Sequence, residues 1–276
     1  MLGRMHLGYP KVPRQNERDF MIFMDSGKYY DVFYEILGEH PLKPWDFHRF
    51  DRTFRHILRD GKLHDVGCGV GHWLDFLSKK TKLRLSGSDV SSNAVERANR
   101  NLEGRRIKVR LGDIRNLQYK NKEFDQITAL EVIEHVPDWE RAVKEMIRIT
   151  RKRVIITVPY EERLSYGRCP YCRENVFIDG HLNKFKEKDF LRFKKYGRIS
   201  FERIYHPFKL KDFLRRGIGI FFGKGDKENK EKKSLGIVCQ NCYGKIKYKK
   251  YFLRVKNRIY KLLTRKPEYL LVRIDL

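Results

Sequence analysis

The sequence has no apolar run approaching the ~18 residues that suggest a membrane-spanning helix, which argues against an integral membrane protein. Residues 1–15 carry basic side chains and two prolines but no apolar segment of a secretory signal. A cytoplasmic location, peripheral at a membrane or free of one, is therefore expected. Cysteine is sparse, with five in 276 residues. Cys68 stands alone, and the other four form two Cys-x-x-Cys pairs. Without a secretory signal, that pattern points to metal binding more than to disulfides. Acid is scarce as well: 35 Asp and Glu face 61 Lys and Arg, a net charge of +26. A surface that basic attracts phosphate, whether on RNA, on a nucleotide-linked sugar or on an anionic membrane face, and does not choose among them. There is no internal repeat. The hydrophobic fraction of 41% suffices for a core and excludes wholesale disorder.

Residues 1 to about 18 read as a loose basic arm. From Phe20 to Asp60 apolar and aromatic residues recur at helical spacing, as at Phe50, Phe54, Ile57 and Leu58. Beyond them, strand-like segments (Lys62–Val66, Arg84–Ser88, Lys108–Leu111, Gln126–Leu130, Val154–Val158) alternate with helix-like ones (His72–Lys80, Ser92–Asn101, Asp138–Thr150). Such alternation predicts βαβ units, hence a doubly wound, mostly parallel α/β sheet with helices on both faces. After Pro159 comes a cysteine-containing insertion, Glu161 to about Asn183, then a helix over Glu187–Tyr196. Ile199–Tyr205 and Leu235–Val238 read as strands, separated by a charge-rich loop, Lys224–Lys233. The expected organisation is an N-terminal arm with covering helices (1–60), a ligand-binding core (61–160), the rest of the domain with its insertion (161–244) and a basic tail (245–276).

Asp65-Val66-Gly67-Cys68-Gly69-Val70-Gly71 ends an apolar strand and opens a helix. Glycines there let the backbone turn tightly and approach a ligand, and the helix N-terminus favours a negative group. The spacing is acid-Gly-x-Gly-x-Gly, not the Gly-x-Gly-x-x-Gly of dinucleotide sites. Asp89, at the end of the next strand, can accept both hydrogens of a ribose diol; the competing reading is a helix cap beside Ser91 and Ser92. Asp113, in Gly112-Asp113-Ile114 after the third strand, can take an adenine amino group.

These three elements together resemble the class I S-adenosylmethionine-dependent methyltransferase superfamily, over roughly Leu63 to Pro159, and within it the quinone O-methyltransferase and methyltransferase type 11 group. The resemblance implies a seven-stranded Rossmann-like sheet whose last strand runs antiparallel. It also implies S-adenosylmethionine as methyl donor, contacted by Asp65, Gly67, Cys68, Gly69, Gly71, Asp89, Val90, Asp113, Ile114 and Glu131.

The fourth strand leads into Glu131-Val132-Ile133-Glu134-His135-Val136-Pro137, at the carboxyl end of the sheet where such folds do chemistry. This stretch is similar to that of quinone O-methyltransferases and of small-RNA 3'-end 2'-O-methyltransferases. In the latter, two glutamates, a histidine and a more distant histidine bind a divalent metal. The corresponding candidates are Glu131, Glu134, His135 and His181, a set suited to Mg²⁺, Mn²⁺ or Fe²⁺. No second histidine stands beside His181 as in the RNA enzymes. The bland alternatives are a helix-capping Glu134 and a packing His181. Glu131 and His135 are the expected catalytic residues, His135 as the base that takes a proton from an oxygen nucleophile.

Cys169-Pro-Tyr-Cys172 and Cys239-Gln-Asn-Cys242 each match half of a structural zinc site. If Leu235–Val238 were the last strand of the sheet, Cys239 would leave at the wrong end to meet the first pair. The segment from Lys245 to Lys266 holds ten Lys or Arg and no acid, with Tyr248, Phe252, Val255, Ile259 and Leu263 at helical spacing. It reads as a basic amphipathic helix suited to docking on the core, to an anionic membrane surface or to RNA. The expected function is methyl transfer to an unidentified acceptor, a small molecule or a lipid- or sugar-linked group, with RNA as the alternative. The rival from another class is a zinc- and nucleic-acid-binding protein with a vestigial donor pocket.

Overall fold

In a computed structural model, the structure describes residues 25–37, 42–162, 164, 166–177, 180–205, 235–248 and 267–276. The expected basic arm, the charge-rich loop at 224–233 and most of the tail lie outside these residues.

Seven strands form one sheet: β1 (Lys62–Val66), β2 (Arg84–Asp89), β3 (Lys108–Leu111), β4 (Phe124–Leu130), β5 (Thr150–Pro159), β8 (Arg198–Ile204) and β11 (Tyr269–Asp275), in the order β3-β2-β1-β4-β5-β11-β8. The first five are parallel, and β11 runs antiparallel to both neighbours. Parallel strands are covered on both faces and so read as apolar runs. Six consecutive residues of β4, Phe124 to Ala129, are buried.

Helix α1 (Ser26–Leu37) and α2 (Pro44–Phe54) precede the sheet, and α3 (His72–Ser78), α4 (Ser92–Asn101) and α5 (Trp139–Ile149) are its crossovers. Helix α5 buries Ala142, Val143, Met146 and Ile149, one face at helical spacing. That face packs with β4, β5, β11 and the aromatic residues Phe185, Phe190 and Phe193. The opposite sheet face is covered by Phe50 of α2, by Trp73, Leu74 and Leu77 of α3, and by Ala98 of α4.

Two expectations are corrected. Leu235–Val238 (β9) is not the last strand of the sheet: among the described residues it pairs with β10 (Lys245–Tyr248) in a separate antiparallel hairpin. The last strand is Tyr269–Asp275, inside the segment read as basic tail. It fills the slot between β5 and β8, with Leu270, Leu271, Val272 and Ile274 buried. Lys245–Tyr248 is likewise strand, so an amphipathic helix does not begin at Lys245. A second small hairpin, β6 (Tyr166–Arg168) with β7 (Asn175–Phe177), forms the insertion after β5. Short helical turns over Glu187–Phe190 and Leu191–Tyr196 follow as expected. No helix of the described residues is long and apolar enough to cross a membrane.

Candidate active site

The turn after β1 is built by backbone geometry. Gly67, Gly69 and Gly71 have φ of 65°, 53° and 87°, the left-handed region where a Cβ is strained. Space forbids a side chain too. A Cβ on Gly67 would stand 2.6 Å from the Val132 side chain, and one on Gly69 would stand 2.8 Å from the Tyr34 hydroxyl. The turn is tied to the next strand: Gly69 N–H donates to Asp89 Oδ2 at 2.8 Å, and Ser91 N–H donates to Asp89 Oδ1 at 3.0 Å. Asp89 does not cap α4. Ser91 is the cap, its hydroxyl accepting from Ala94 N–H at 3.1 Å. Asp89 is thus a buried carboxylate whose two oxygens each keep further acceptor capacity at the end of β2. Burial raises its pKa, against the hydrogen bonds from Ser91 and Gly69.

Asp65, also buried, accepts a 2.6 Å hydrogen bond from the Thr128 hydroxyl, which itself accepts from Trp73 Nε1 at 3.2 Å. Burial pushes Asp65 up to about 7, with the Thr128 hydrogen bond opposing.

These groups face a cavity of about 370 Å³, within the range of ligand pockets. Gly67, Cys68, Gly69, Asp89, Val90, Asp113, Ile114, Glu131 and His135 all line it, as expected, and so does Gly112. Gly71 lies just outside, at the start of α3. Asp113 is less available than expected. Arg115 binds its carboxylate through the backbone N–H and guanidinium at 2.6 to 3.1 Å, and against burial these contacts hold its pKa below the ordinary value.

The sequence reading missed the far wall. Tyr29, Tyr30, Phe33 and Tyr34 of α1, with Asp46, Arg49 and Phe50 of α2, complete the cavity. Arg49 is buried, 3.3 Å from Glu131 and 3.4 Å from Asp46, with its guanidinium over the Phe50 and Tyr269 rings. The 3.6-residue periodicity of these helices was visible, but no spacing marks which of their residues face a ligand.

The Glu131-to-His135 stretch divides. Glu131 adopts a left-handed φ of 60° and pairs with Arg49, so it does not join the histidines. Glu134, His135 and His181 come together instead, each with a ligand-capable atom within 4.8 Å of the others'. Glu134 is fully buried; among the described residues neither carboxylate oxygen has a hydrogen-bond partner, and Oε1 lies 4.0 Å from His135 Nε2. It caps no helix, because Asp138 caps α5. Burial raises its pKa to about 7, with the neighbouring His181 opposing. His135 Nδ1 lies 3.0 Å from the Gly180 carbonyl, which can only accept, so Nδ1 carries a proton and the lone pair of the neutral ring is on Nε2. His181 Nδ1 is bound by Glu162.

The four paired cysteines also converge. Cys169 Sγ lies 3.8 Å from Cys242 Sγ, and Cys172 Sγ lies 3.6 Å from Cys239 Sγ, with all four sulfurs within 4.8 Å of one another. A tetrahedron of Zn–S bonds of ~2.3 Å places its sulfurs ~3.8 Å apart. Each pair sits at the turn of a hairpin. In the second, the N–H groups of Asn241 and Cys242 point to Cys239 Sγ at 3.4 and 3.5 Å, as thiolate acceptors require. The geometric conflict raised by the sequence disappears because β9 is not part of the main sheet.

A doubly wound sheet with order 3-2-1-4-5-7-6 in its own strands, a glycine turn after the first and an acid after the second is the arrangement in which such sheets bind nucleotides, and the cavity lies there, at the carboxyl end of the sheet. Residues 64–158 match the family described as methyltransferase domain. Over that stretch, about a third of its length, the chain is similar to class I S-adenosylmethionine-dependent methyltransferases. Methyltransferase GfsG of Streptomyces halstedii is 36% identical over 94 residues, 33% of this chain and 34% of that protein. A phosphatidylethanolamine N-methyltransferase of Cereibacter sphaeroides is 30% identical over 45% of this chain and 58% of its own. The chain thus spans between a third and three-fifths of these relatives. Among solved structures, phosphoethanolamine N-methyltransferase 2 of Haemonchus contortus, bound to phosphomonomethylethanolamine and S-adenosylhomocysteine, superposes with a TM-score of 0.57. It is 16% identical, over 97% of this chain and 61% of that one. The [4+2]-cyclase SpnF reaches the same TM-score at 17% identity, over 97% and 98%. At these identities the likeness is of fold alone.

Proposed function

We propose that this protein transfers a methyl group from S-adenosylmethionine to a small-molecule or lipid-linked acceptor. The observation that carries this reading is the Asp89 carboxylate: braced by two backbone N–H groups, it faces the cavity beside a glycine turn into which no side chain fits. When bound, S-adenosylmethionine supplies a methyl group already activated on a sulfonium. The chain's own work is to hold and to shield. Asp89 takes the ribose diol, the backbone at Gly67 and Gly69 admits close approach, and Asp65 faces the ammonium end. The tyrosines of α1 exclude water from above. Correct placement of nucleophile and methyl can lower a barrier by ~7–11 kcal/mol. Glu131 positions Arg49, and His135 Nε2 is the basic atom on the acceptor side. The small or lipid acceptor is favoured over RNA by the names of the relatives, which include a phosphatidylethanolamine and a demethylmenaquinone methyltransferase. Intact Asp65 and Asp89 speak against a vestigial pocket. Calorimetry with S-adenosylmethionine and S-adenosylhomocysteine, with NAD as control, tests donor binding. Labelled methyl transfer into separated RNA, lipid and small-molecule pools then tests the acceptor class. Label appearing in the RNA pool alone would overturn the acceptor assignment.

Cys169, Cys172, Cys239 and Cys242 hold one structural zinc in this reading, supported by sulfur spacings that match a closed tetrahedral site.

A divalent cation at Glu134, His135 and His181 has one specific observation in its favour, the orphaned buried carboxylate. A carboxylate so placed is expensive unless neutralised or paired. Each histidine is oriented from behind by an acceptor, as metal-bound imidazoles are. Two nitrogens and one oxygen suit Mn²⁺ or Fe²⁺ better than Mg²⁺, which prefers oxygen. Saturable Mn²⁺ binding that is lost in Glu134→Gln supports the site; equal Mn²⁺ binding by wild type and variant removes it and leaves His135 as a base.

A further inference from the structure

Helix α1 is held from two sides. Toward the core, Asp31 grips the start of α4: its carboxylate accepts from Ser91 Oγ at 2.6 Å, Ser92 Oγ at 3.0 Å and Asn93 N–H at 3.1 Å. On the other side α1 meets the second cysteine hairpin. Val238 packs with Tyr29 in a small apolar cluster that takes in Tyr30, Phe33 and Tyr243. The Tyr243 hydroxyl accepts from Asp25 N–H at 3.3 Å, and Lys28 Nζ lies 5.0 Å from its ring centre.

The joint between the two hairpins is Gln240, the residue next to Cys239. Its buried amide accepts from Phe177 N–H at 3.1 Å and donates to the Phe177 carbonyl at 3.0 Å, fastening β7 of the first hairpin. The same Nε2 donates to the Tyr29 hydroxyl at 3.4 Å. One side chain thus touches both halves of the cysteine site and the helix that roofs the cavity. Among the described residues, each cysteine hairpin has only two strands, and an isolated two-stranded ribbon is marginal in water. Besides Gln240, the hairpins meet at the four sulfurs and at the Tyr171 hydroxyl, which donates to the Lys245 carbonyl at 3.2 Å.

We infer that the cysteine cluster acts as a clamp on the methyl-donor pocket, with Gln240 as the positioning residue that transmits metal occupancy to Tyr29 and the tyrosines beside it on α1. This rests on the donor-pocket and zinc readings above. With zinc in place the hairpins are joined and α1 is fixed over the glycine turn, where the Tyr34 hydroxyl already sits against Gly69. Without zinc the hairpins part, α1 keeps its Asp31 anchor and the edge contact of Tyr30 with His135 but loses its support on the other side, and a bound donor must pay for ordering it. The coupling is reciprocal by linkage: whatever zinc does for donor affinity, the donor does for zinc affinity, by the same factor. Cys242 is exposed, so chelators and oxidants reach the cluster from solvent.

The test uses the full chain and a thermodynamic cycle. S-adenosylhomocysteine affinity is measured by calorimetry for wild type and Gln240→Ala, each zinc-loaded and chelator-stripped, with zinc content and thermal melting followed in parallel. The expected result is an affinity at least tenfold weaker in stripped wild type and in zinc-loaded Gln240→Ala, the latter retaining its zinc. Stripping the variant should weaken it by a smaller factor than stripping wild type, since the two losses share the Gln240 connection while Val238 and Tyr243 carry the remainder. Zinc transfer to a colorimetric chelator should slow in wild type when S-adenosylhomocysteine is present, and should slow less in the variant. A merely structural Gln240 would lower melting and leave that ligand effect intact. Equal affinity with and without zinc overturns the clamp. If the stripped protein fails to melt cooperatively, the zinc-loaded Gln240→Ala decides, and an unchanged affinity there overturns it as well. Zinc-loaded wild type that binds no S-adenosylhomocysteine refutes the donor reading itself, a different result from equal binding in both states.

Discussion

Asp89→Asn removes one formal charge and almost no volume, yet it should be among the most damaging single changes to donor binding. The wild-type carboxylate accepts one backbone N–H on each oxygen, from Gly69 at 2.8 Å and from Ser91 at 3.0 Å. An amide has one accepting oxygen and one donating nitrogen. Whichever way it turns, one of those N–H groups meets another donor, at ~1–3 kcal/mol for the unsatisfied group. The ribose diol loses its bond to a charged acceptor, worth ~1.5–3 kcal/mol. The second term alone lowers affinity roughly 10- to 150-fold. Calorimetric titration with S-adenosylhomocysteine reads the loss, and an analogue lacking the ribose hydroxyls identifies its origin. Wild type should bind that analogue weakly, and Asp89→Asn should scarcely distinguish it from the parent compound. Binding of the parent within twofold of wild type, or an analogue penalty as large in the variant as in wild type, would refute the assignment of Asp89 to the diol.

Three other outcomes are expected. Metal analysis of dialysed protein should give one zinc per chain, and Cys172→Ser and Cys239→Ser should each lower both zinc content and melting temperature; full zinc in either variant would show that the pairs do not share a site. Because burial lifts Asp65 to about 7, its carboxyl is neutral below that pH, so donor affinity should climb as pH rises through 7 by up to about tenfold per unit. The folded value lies above the ordinary 3.8, so this carboxyl lowers the stability of the unliganded fold as pH rises from 3.8 to about 7 and no further above it, and Asp65→Asn should flatten both profiles. Arg49→Leu leaves Glu131 and Asp46 without their buried cation, a loss of ~3–5 kcal/mol if the pair behaves as other broken buried pairs do, read as a fall in the denaturation midpoint.

The parallel half of the fold was legible because its strands are buried on both faces and their helices carry one apolar stripe; β1 to β5 stand where the alternation put them. The last strand was not. Leu235–Val238 and Tyr269–Asp275 are both short apolar runs, and nothing local tells a hairpin partner from the strand that fills a gap between two others. The density of Lys and Arg before Tyr269 disguised the true one. In the site, Asp65, the glycines and Asp89 were readable because their chemistry requires fixed residue types at fixed spacing. Which of Glu131 and Glu134 would meet His181 was not readable, since the left-handed backbone at Glu131 turns its side chain to Arg49, a residue about eighty positions earlier with no motif of its own.

Ile204 and Tyr269 are register partners in adjacent strands, and Glu268 N–H donates to the Ile204 carbonyl at 2.8 Å. The chain therefore leaves the sheet after β8 and re-enters it beside the point of departure. For the sheet, everything between is a detour whose length changes no register and no strand neighbour. The second cysteine pair rides on that detour, while the glycine turn and both acids of the donor pocket lie on the uninterrupted stretch before it. The hairpin of that pair can thus be lengthened, rebuilt or lost without moving any strand that carries Asp65, the glycine turn or Asp89.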